Sequence, residues 1–448
     1  MQNAVAFSNN DVITIAWSYG KKPVGCLGFT IYRIDNKNVE TPLPSQAIFK
    51  GQKKTTGQTT KDFPIQKFYW KDVYARLIAE KTGNRKFRYK VVPVKGTPGN
   101  IVPMTELPFV ISNEVEITPI LEDNVSVYFN RGLISTQRVA KALNPKSKKA
   151  SLIKAIETVD GPLRASLSGD MVEGVIGFLD KAKTSGKIYA ALYELGDTEL
   201  IAHLKKLKKK LFIVLSDSKI QKDDTSKKKI KNKNGKLVFP KLKLDGNQDA
   251  REILKTTTTN IWDRIMPGGR IGHNKFLVYV DKNNTPQSVL LGSTNWTSTG
   301  LCTQTNNTIV IDDINLAKRY LNYWKQLKKD SIDSDGEAKK LQGTNLRTWG
   351  CKGEDLKKIK NIELLHSWFS PNTPKARSSK KTGEKCPPDM DQVISYINKA
   401  KHAILFLAFY PGSPSLANWT ALALRQKKDL FVRGCVTNKS ASEGFYYD

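Results

Sequence analysis

Apolar and polar residues alternate along the first quarter of the chain, in short runs separated by turns rich in Gly, Pro, Asn and Lys. The runs are VITIAWSY, CLGFTIYRID, FRYKVVPVKG and FVISNEVEI. Alternation with a period of two residues is typical of strands with one buried face. The pattern predicts an all-β sandwich over residues 1–118, with Trp17 and Tyr89 in its core.

From about residue 125 the pattern changes to apolar strands that alternate with amphipathic helices. The strand segments are NVSVYFNRG, KIYAALYEL and LFIVLSDS, and the helical segments are VEGVIGFLDKAK and TELIAHLKKLKKK. A further helix is predicted to begin within STQRVAKAL, at a serine cap. This order favours an α/β fold with a mainly parallel sheet flanked by helices over residues 119–350.

The second half of the chain repeats part of this pattern. FLDKAKTSGKIYAALYEL returns as YINKAKHAILFLAFY, and KKKLFIVLSD returns as QKKDLFVRGCVTN. A second copy is therefore predicted within residues 351–448, beginning near Leu364. Since about 60 residues separate Leu211 from His273 in the first copy, the matching position of the second copy would fall near 490. We expect the second copy to be truncated at Asp448.

The charge of the chain predicts a polyanionic partner. Lysine and arginine number 73 against 42 acidic residues, a formal charge of +31, which attracts nucleic acid or an anionic membrane surface. A solvated basic surface without a partner is the alternative. No apolar run is long enough to span a bilayer, and the N-terminus lacks a signal-peptide pattern. Five scattered cysteines without CxxC spacing favour a reduced, cytoplasmic protein without structural zinc.

The positive charge is most concentrated between Lys219 and Lys243. This stretch is predicted to be an exposed loop beside the site, with a hairpin at Asn234-Gly235. Its candidate substrate-binding residues are Lys228, Lys229, Lys231, Lys233 and Lys236.

Candidate chemistry lies in GHNKFLVYVDKNNTPQSVLLGSTNW, from Gly272 to Trp296. Alternate side chains of a strand share a face, so His273 and Lys275 point the same way. A neutral imidazole can attack phosphorus while the ammonium neutralises phosphate oxygens. The turn after the next strand adds the Ser293 hydroxyl and the Asn295 amide. These groups suit a phosphodiester and not a metal, because one histidine stands alone locally and the lysine repels a cation.

H-x-K, a following Asp281 and G-S-x-N resemble the HKD motif of the phospholipase D superfamily, over roughly residues 125–448. The resemblance implies two motif copies at a pseudo-twofold axis, a covalent phosphohistidine and no metal or other cofactor. By this likeness His273 is the nucleophile or its acid–base partner, Lys275 the phosphate clamp, and Asn295 with Ser293 the phosphate-side donors. Asp281 would be the supporting carboxylate. Separately, Trp17, GFTIYRI and Tyr89 in FRYKVV resemble a fibronectin type III domain.

The chain departs from the superfamily pattern at two places. Five residues rather than four separate Lys275 from Asp281, which moves the aspartate to the other parity of the strand. Asn306 stands where many bacterial members place a glutamate that orients the histidine. The orienting carboxylate is therefore expected elsewhere.

The other three histidines do not supply a second motif. His203 lies in H-x-K on a lysine-rich helix without a following G-S-x-N, which chance explains, and His366 and His402 precede the strands of the second copy. The partner histidine is expected beyond Asp448 or from a second subunit of a homodimer.

Three functions agree with these patterns. The first is a metal-independent hydrolase, a phosphodiesterase acting on nucleic acid. The second is a phospholipase D acting on phospholipid head groups, with the basic face on anionic lipid. The third is a non-catalytic protein that binds nucleic acid or a membrane surface, with the sandwich as an adaptor. The charge favours nucleic acid over lipid, because phosphate contacts dominate such binding.

Overall fold

The computed structural model describes residues 3–20, 23–45, 47–53, 55–132, 148–217, 219–232, 235–266, 271–331, 344–356, 365–374, 386–411 and 415–437. The helix start predicted within STQRVAKAL lies outside these residues, as do Lys233 and Asn234. Within the described ranges, no helix combines the length and the apolarity that crossing a membrane requires. The five cysteines are free thiols.

Two antiparallel sheets and one helix form the N-terminal region, called the sandwich here. The first sheet contains β1 (Asn3–Ser8), β2 (Ile13–Ser18) and β5 (Tyr69–Asp72). The second contains β4 (Glu40–Pro42), β3 (Gly28–Ile34), β6 (Lys86–Thr97), β7 (Asn100–Pro103), β8 (Val110–Ile111) and β9 (Val115–Glu116). Trp17 and Tyr89 are buried in a core built from both sheets, as predicted.

Helix α1 (Ala75–Thr82) departs from the all-β expectation for this region. It buries Ala75 and Ala79 against the sandwich core and ends at Gly83, whose φ of 74° is a left-handed cap that glycine favours. Its short sequence hides this signal, because two alanines are the only residues that the helix buries.

A mixed sheet of eight strands forms the second region. Its order is β10 (Ile120–Glu122), β11 (Val125–Phe129), β21 (Asn307–Ile311), β20 (Pro286–Gly292), β19 (Lys275–Val280), β12 (Lys187–Leu192), β13 (Leu211–Ser216) and β18 (Ile261–Arg264). The β12–β13 and β13–β18 pairs are parallel, and the other five described pairs are antiparallel.

The prediction of a mainly parallel sheet is therefore wrong for this region. Parallel neighbours need a long crossover, and the helix between β12 and β13 supplies one. The tight turn at residues 281–285 joins β19 to β20, and a connection this short can only reverse the chain.

Helices cover both faces of the sheet. One face carries α2 (Lys148–Glu157), α3 (Pro162–Ser168), α4 (Met171–Thr184), α5 (Thr198–Lys206), α6 (Gln248–Lys255) and α7 (Ser298–Cys302), and a 3-10 turn (Lys208–Lys210) precedes β13. The other face carries α8 (Ile314–Lys329) and α9 (Thr344–Gly350). Alternate residues of each central strand enter the two cores: Leu277 faces the first, and Phe276 and Val278 face the second.

The lysine-rich stretch combines two short antiparallel strand pairs with exposed loop segments of the kind predicted. β14 (Lys219–Asp223) pairs with β17 (Lys241–Asp245), and β15 (Ile230–Lys231) pairs with β16 (Leu237–Val238). The amide of Lys236 donates to Asn232 Oδ1 at 3.0 Å, and Gly235 has a φ of 75°, so the chain reverses where the hairpin was predicted. Residues 219–245 are called the lysine ribbon below.

The C-terminal region contains a helix–strand–helix–strand run in the same order as α4, β12, α5 and β13. It contains β22 (Glu354–Leu356), β23 (Leu365–Ser367), α10 (Pro388–Lys399), β24 (Ala403–Ala408), α11 (Leu416–Gln426) and β25 (Phe431–Val436). β24 and β25 are parallel, as are β12 and β13. Leu405 and Leu407 are 71% and 60% exposed, so β24 presents an open apolar row.

Ion pairs join the sandwich to the mixed sheet. Arg76 donates to Asp170 at 2.7 Å and to Asp11 at 3.2 Å, and Arg131 also pairs with Asp11. Asn10 donates to the carbonyl of Val127 at 3.0 Å. The Arg76 charge and hydrogen bonds outweigh partial burial and lower the pKa of Asp170.

Candidate functional site

Strand register brings the motif residues to one edge of the mixed sheet. Leu192 at the end of β12 lies opposite Lys275 at the start of β19, and Phe276 lies opposite Leu291 near the end of β20. β19 runs against both neighbours, so its first residues meet the segments that follow β12 and β20. His273, Lys275, Ser293 and Asn295 all belong to this edge.

Backbone hydrogen bonds fix the turn that carries Asn295 against the end of β12. The amide of Trp296 donates to the carbonyl of Glu194 at 3.1 Å, and the amides of Gly196 and Asp197 donate to the carbonyl of Trp296 at 2.8 and 2.9 Å. Trp296 is only 1% exposed and packs into the core beneath. The turn is therefore held by both backbone and side chain.

The His273 ring lies on Tyr193, at the end of the segment KIYAALYEL. Their ring centroids are 4.8 Å apart with an interplanar angle of 68°. The outer side of His273 is exposed. Partial burial, and then the charge of Lys275, lower the pKa of His273 to about 4. The imidazole is neutral at pH 7, which a nucleophile requires.

Lys275 is buried beneath the histidine, with 8% of its surface exposed. Its Nζ donates to the carbonyl of His273 at 3.3 Å and lies 5.5 Å from the centroid of the Tyr193 ring. Burial lowers the pKa of Lys275 to about 8, against the opposing effect of Glu194. The ammonium remains mostly charged at pH 7 and supplies the positive charge of the site.

Glu194 and Tyr193 are site residues that the sequence did not single out. Burial raises the pKa of the Glu194 carboxyl, and Lys275 opposes that effect. Both residues directly follow a buried strand with a parallel neighbour, a position where ligand-binding residues collect, and this was the available signal.

The turn after β20 carries the Ser293 hydroxyl and a side-chain amide, that of Asn295, whose oxygen has no hydrogen-bond partner among the described residues. Ser293 Oγ donates to Asn306 Oδ1 at 3.1 Å and accepts from the Asn307 amide at 3.1 Å. Asn295 Oδ1 is buried without a hydrogen-bond partner among the described residues. A Cβ at Gly292 would lie 2.3 Å from the Asn307 carbonyl oxygen, so the strands can approach this closely only with glycine.

Asn306 braces the turn as a neutral amide. Asn306 is 8% exposed. Its side-chain Nδ2 donates to the carbonyl of Gly300 at 2.8 Å, and its backbone amide donates to Asn130 Oδ1 at 3.0 Å. Glu194, and not residue 306, is the carboxylate whose charge acts on Lys275.

Asp281 does not join the other predicted catalytic residues. It follows the far end of β19, about 20 Å along the strand from Lys275 at ordinary strand rise. Its carboxylate accepts from the amides of Asn283 and Thr285, both at 2.9 Å, and from Gln287 at 2.7 Å. Asp281 stabilises the tight turn, so the supporting role suggested by the motif is not compatible with its position.

The lysine ribbon is rooted beside the site. Asn247, just after the ribbon, donates to the carbonyls of Tyr193 at 2.6 Å and Ser216 at 2.7 Å. Arg251 joins Asp245, the last ribbon residue, to the Ser216 carbonyl at 2.7 and 2.6 Å. Four of the five predicted substrate-binding lysines are exposed on the ribbon, namely Lys228, Lys229, Lys231 and Lys236.

The remaining histidines lie on other elements. His203 is on α5, His366 on β23, and His402 just before β24. Among the described residues, no group of three or more His, Cys, Asp or Glu side chains is arranged to hold a metal ion.

Comparison with known proteins finds similarity among solved structures alone. No protein-family profile and no curated protein match the chain. Nuc from Salmonella typhimurium, a phospholipase D family member, is 19% identical over 37% of this chain and 91% of that one, with a TM-score of 0.26. NucT from Helicobacter pylori is 13% identical over the same shares, with a TM-score of 0.25. Phosphatidylserine synthase from Haemophilus influenzae Rd KW20 is 14% identical over 60% of each chain, with a TM-score of 0.37.

Proposed function

We propose that this chain is a phospholipase D-like phosphodiesterase that hydrolyses nucleic acid through a covalent phosphohistidine at His273. The observation that supports the proposal is the meeting of a neutral imidazole, a buried ammonium and the Ser293–Asn295 turn at one sheet edge. These are a nucleophile, a charge for the phosphate oxygens and a neutral polar turn, which together match phosphodiester chemistry.

The proposed reaction has two displacements at phosphorus. An imidazole nitrogen of His273 forms a bond to phosphorus while the bond to the leaving oxygen breaks, and an acid protonates that oxygen. Water then attacks the phosphohistidine while the deprotonated acid of the first step accepts a proton from that water, the phosphorus–nitrogen bond breaks, and His273 and the acid are both regenerated. Lys275 stabilises the charge on the nonbridging oxygens in both steps.

The acid is the partner histidine of a second motif, supplied by further chain or by a second subunit. Asn295 would donate to a phosphate oxygen through its Nδ2 group, because its buried Oδ1 can only accept a hydrogen bond. The cytoplasm is the proposed location, because the cysteines are unpaired thiols.

Nucleic acid is the proposed substrate because of the lysine ribbon. Its exposed lysines extend from the same sheet edge that bears His273, so a polyanion bound along the ribbon approaches the imidazole. Phospholipid carries a comparable phosphodiester, and it becomes the competing outcome of the test.

The test is intact-mass spectrometry of the protein quenched during turnover, with DNA or phosphatidylcholine as substrate. We expect a covalent phosphoryl adduct with DNA that is absent from His273→Ala. His203→Ala is the matched control, because it removes the other histidine of an H-x-K sequence, and its adduct should be unchanged.

An adduct with phosphatidylcholine and none with DNA would reassign the substrate to lipid. Turnover without an adduct on His273 would make that residue the acid and the partner histidine the nucleophile. Absence of turnover with both substrates would favour the non-catalytic binding protein.

A further inference from the structure

Hydrogen bonds hold the main chain on both sides of His273. The Asn274 amide donates to the Gly272 carbonyl at 2.9 Å, and Asn274 Oδ1 accepts from the hydroxyl of the buried Tyr323 at 2.9 Å. Lys275 Nζ donates to the His273 carbonyl at 3.3 Å, and Lys275 itself begins β19. These contacts fix the backbone of His273 and leave its two side-chain torsions free.

The ring of Tyr193 restricts those torsions. Its centroid lies 4.8 Å from that of the His273 imidazole with an interplanar angle of 68°, the edge-to-face geometry that aromatic pairs favour. In the part of the chain that the structure describes, no hydrogen bond holds either imidazole nitrogen. The ring contact therefore limits rotation of the imidazole while both nitrogens stay available for chemistry.

The same ring also meets the ammonium of Lys275. Nζ lies 5.5 Å from the centroid of the Tyr193 ring, within the distance at which a cation is attracted to an aromatic face. Lys275 is 8% exposed, so the attraction acts on a largely desolvated charge, for which it is strongest. One side chain therefore contacts both the imidazole and the ammonium.

Tyr193 is itself held firmly at the end of β12. Its carbonyl accepts from Asn247 Nδ2 at 2.6 Å, and the amide of Leu195 donates to Asn247 Oδ1 at 2.9 Å. The carbonyl of the next residue, Glu194, accepts from the Trp296 amide at 3.1 Å. A ring on a main chain that is fixed on both sides can support the groups that lie on it.

We propose that Tyr193 is a positioning residue, whose ring sets the orientation of the His273 imidazole relative to the Lys275 ammonium. The inference rests on the proposed function, in which these two groups act on one phosphate. The ring, rather than the hydroxyl, makes both contacts. An imidazole without this support keeps its nucleophilic nitrogen but is aimed at phosphorus for less of the time, and such misplacement can slow a reaction by about 100-fold.

The test compares three variants of the full chain. Tyr193→Phe keeps the ring and removes the hydroxyl, whereas Tyr193→Leu removes the ring. Tyr189→Leu is the matched control, because it removes a ring from the same strand, where Tyr189 packs on Phe212 and Trp324. The rate of His273 adduct formation and the KM for DNA are measured for each variant.

NMR of the chain without substrate, isotope-labelled at the histidine Cε1, gives a readout that does not depend on turnover. The chain has four histidines, and His273→Ala assigns one of the four signals. The His273 signal should move in Tyr193→Leu, because the ring current of its neighbour is lost, and should stay in place in Tyr193→Phe and Tyr189→Leu. The other three signals report whether each variant is folded.

We expect Tyr193→Leu to form the adduct about 10- to 100-fold more slowly with a nearly unchanged KM, since the ring orients the nucleophile. Tyr193→Phe and Tyr189→Leu should react at close to the wild-type rate. A nuclear Overhauser effect between the ring protons of Tyr193 and His273 in the wild-type chain tests the contact even if Tyr193→Leu does not fold.

An unchanged rate in Tyr193→Leu, an equal loss in Tyr193→Phe, a loss confined to KM, or the absence of the Overhauser effect would overturn the proposal. The two proposals fail separately. A His273 signal that moves in Tyr193→Leu, in a chain whose wild type forms no adduct, would leave the ring contact standing and refute the proposed catalysis. An adduct that forms equally fast in Tyr193→Leu and the wild type would do the reverse.

Discussion

The buried guanidinium of Arg164 supports the turn that carries Asn295. Arg164 is 3% exposed and donates to Asp197 at 2.8 and 2.9 Å, to the Ile156 carbonyl at 2.9 Å and to Glu199 at 2.8 Å. Asp197 is 1% exposed and also accepts from Ser298 Oγ at 3.1 Å, just after the turn. The pair connects α3 to the start of α5 beneath the site.

Replacing Arg164 with Met keeps the length of the side chain and removes its charge. Among the described residues, Asp197 would keep as donors the Ser298 hydroxyl and the Leu200 amide. A buried charge that loses its partner costs about 3–5 kcal/mol. With a urea m-value of about 3 kcal/mol per molar, the unfolding midpoint of this region should fall by about 1–2 M.

Urea unfolding followed by circular dichroism measures the change, with Lys183→Met as the control. Lys183 pairs with Asp180 at 2.7 Å on the surface, and such exposed pairs contribute less than about 1 kcal/mol. The double variant Arg164→Met, Asp197→Asn should recover part of the loss, because the fully buried Asp197 charge is then removed and the more exposed Glu199 carboxylate alone lacks its partner. The reasoning is refuted if Arg164→Met lowers the unfolding midpoint no more than Lys183→Met does. It is also refuted if the double variant loses more unfolding free energy than the sum of the losses of its two single variants.

Three further predictions concern the site edge. Proton NMR should show the His273 imidazole titrating near 4, because burial and then the charge of Lys275 lower its pKa. The imidazole stays neutral at pH 5, so activity should persist as the pH falls from 7 towards 5, and a pKa at or above 6.5 would contradict this. Gly272→Ala would place a Cβ 2.2 Å from Ser216 Oγ, so we expect a loss of about 1–3 kcal/mol in unfolding free energy and slower formation of the His273 adduct. An unchanged rate of adduct formation would show that this steric contact does not disturb the site. Asn247→Ala removes three hydrogen bonds of a buried side chain, including the one to Tyr193, so the free energy of unfolding should fall by about 3 kcal/mol. Amide hydrogen exchange in the lysine ribbon should accelerate. Unchanged exchange would show that Asn247 does not anchor the ribbon.

Strand periodicity predicted much of the site because its chemistry is local. Lys275 begins β19, His273 lies two residues before it, and the strand alternates between the two cores as expected. The same periodicity warned that the extra residue before Asp281 moves it off the strand face that the superfamily spacing gives the aspartate, and the structure assigns that residue to a turn. Residues near in sequence are placed well by local rules.

Long-range pairing could not be predicted in the same way. Tyr193 meets His273 only because β12 and β19 are antiparallel neighbours, and their separation in sequence carries no record of that pairing. The mainly parallel sheet was wrong for the same reason: apolar strand segments look alike whichever direction their neighbours run. The ribbon was hidden because lysine opposes the ordinary strand composition, and buried anchors outside it, such as Arg251, hold its root.

The ion pairs of Arg76 with Asp170 and Asp11 determine how the sandwich can participate in the work of the chain. Arg76 and Arg131 are largely buried at this junction. Arg76 contacts Asp11 of the sandwich and Asp170 of the mixed-sheet region. A sandwich held in this way cannot swing as a separately tethered module. A molecule bound to the sandwich would stay at a fixed distance and orientation from His273. The sandwich would then determine which position along a long substrate, bound at both places, reaches the imidazole.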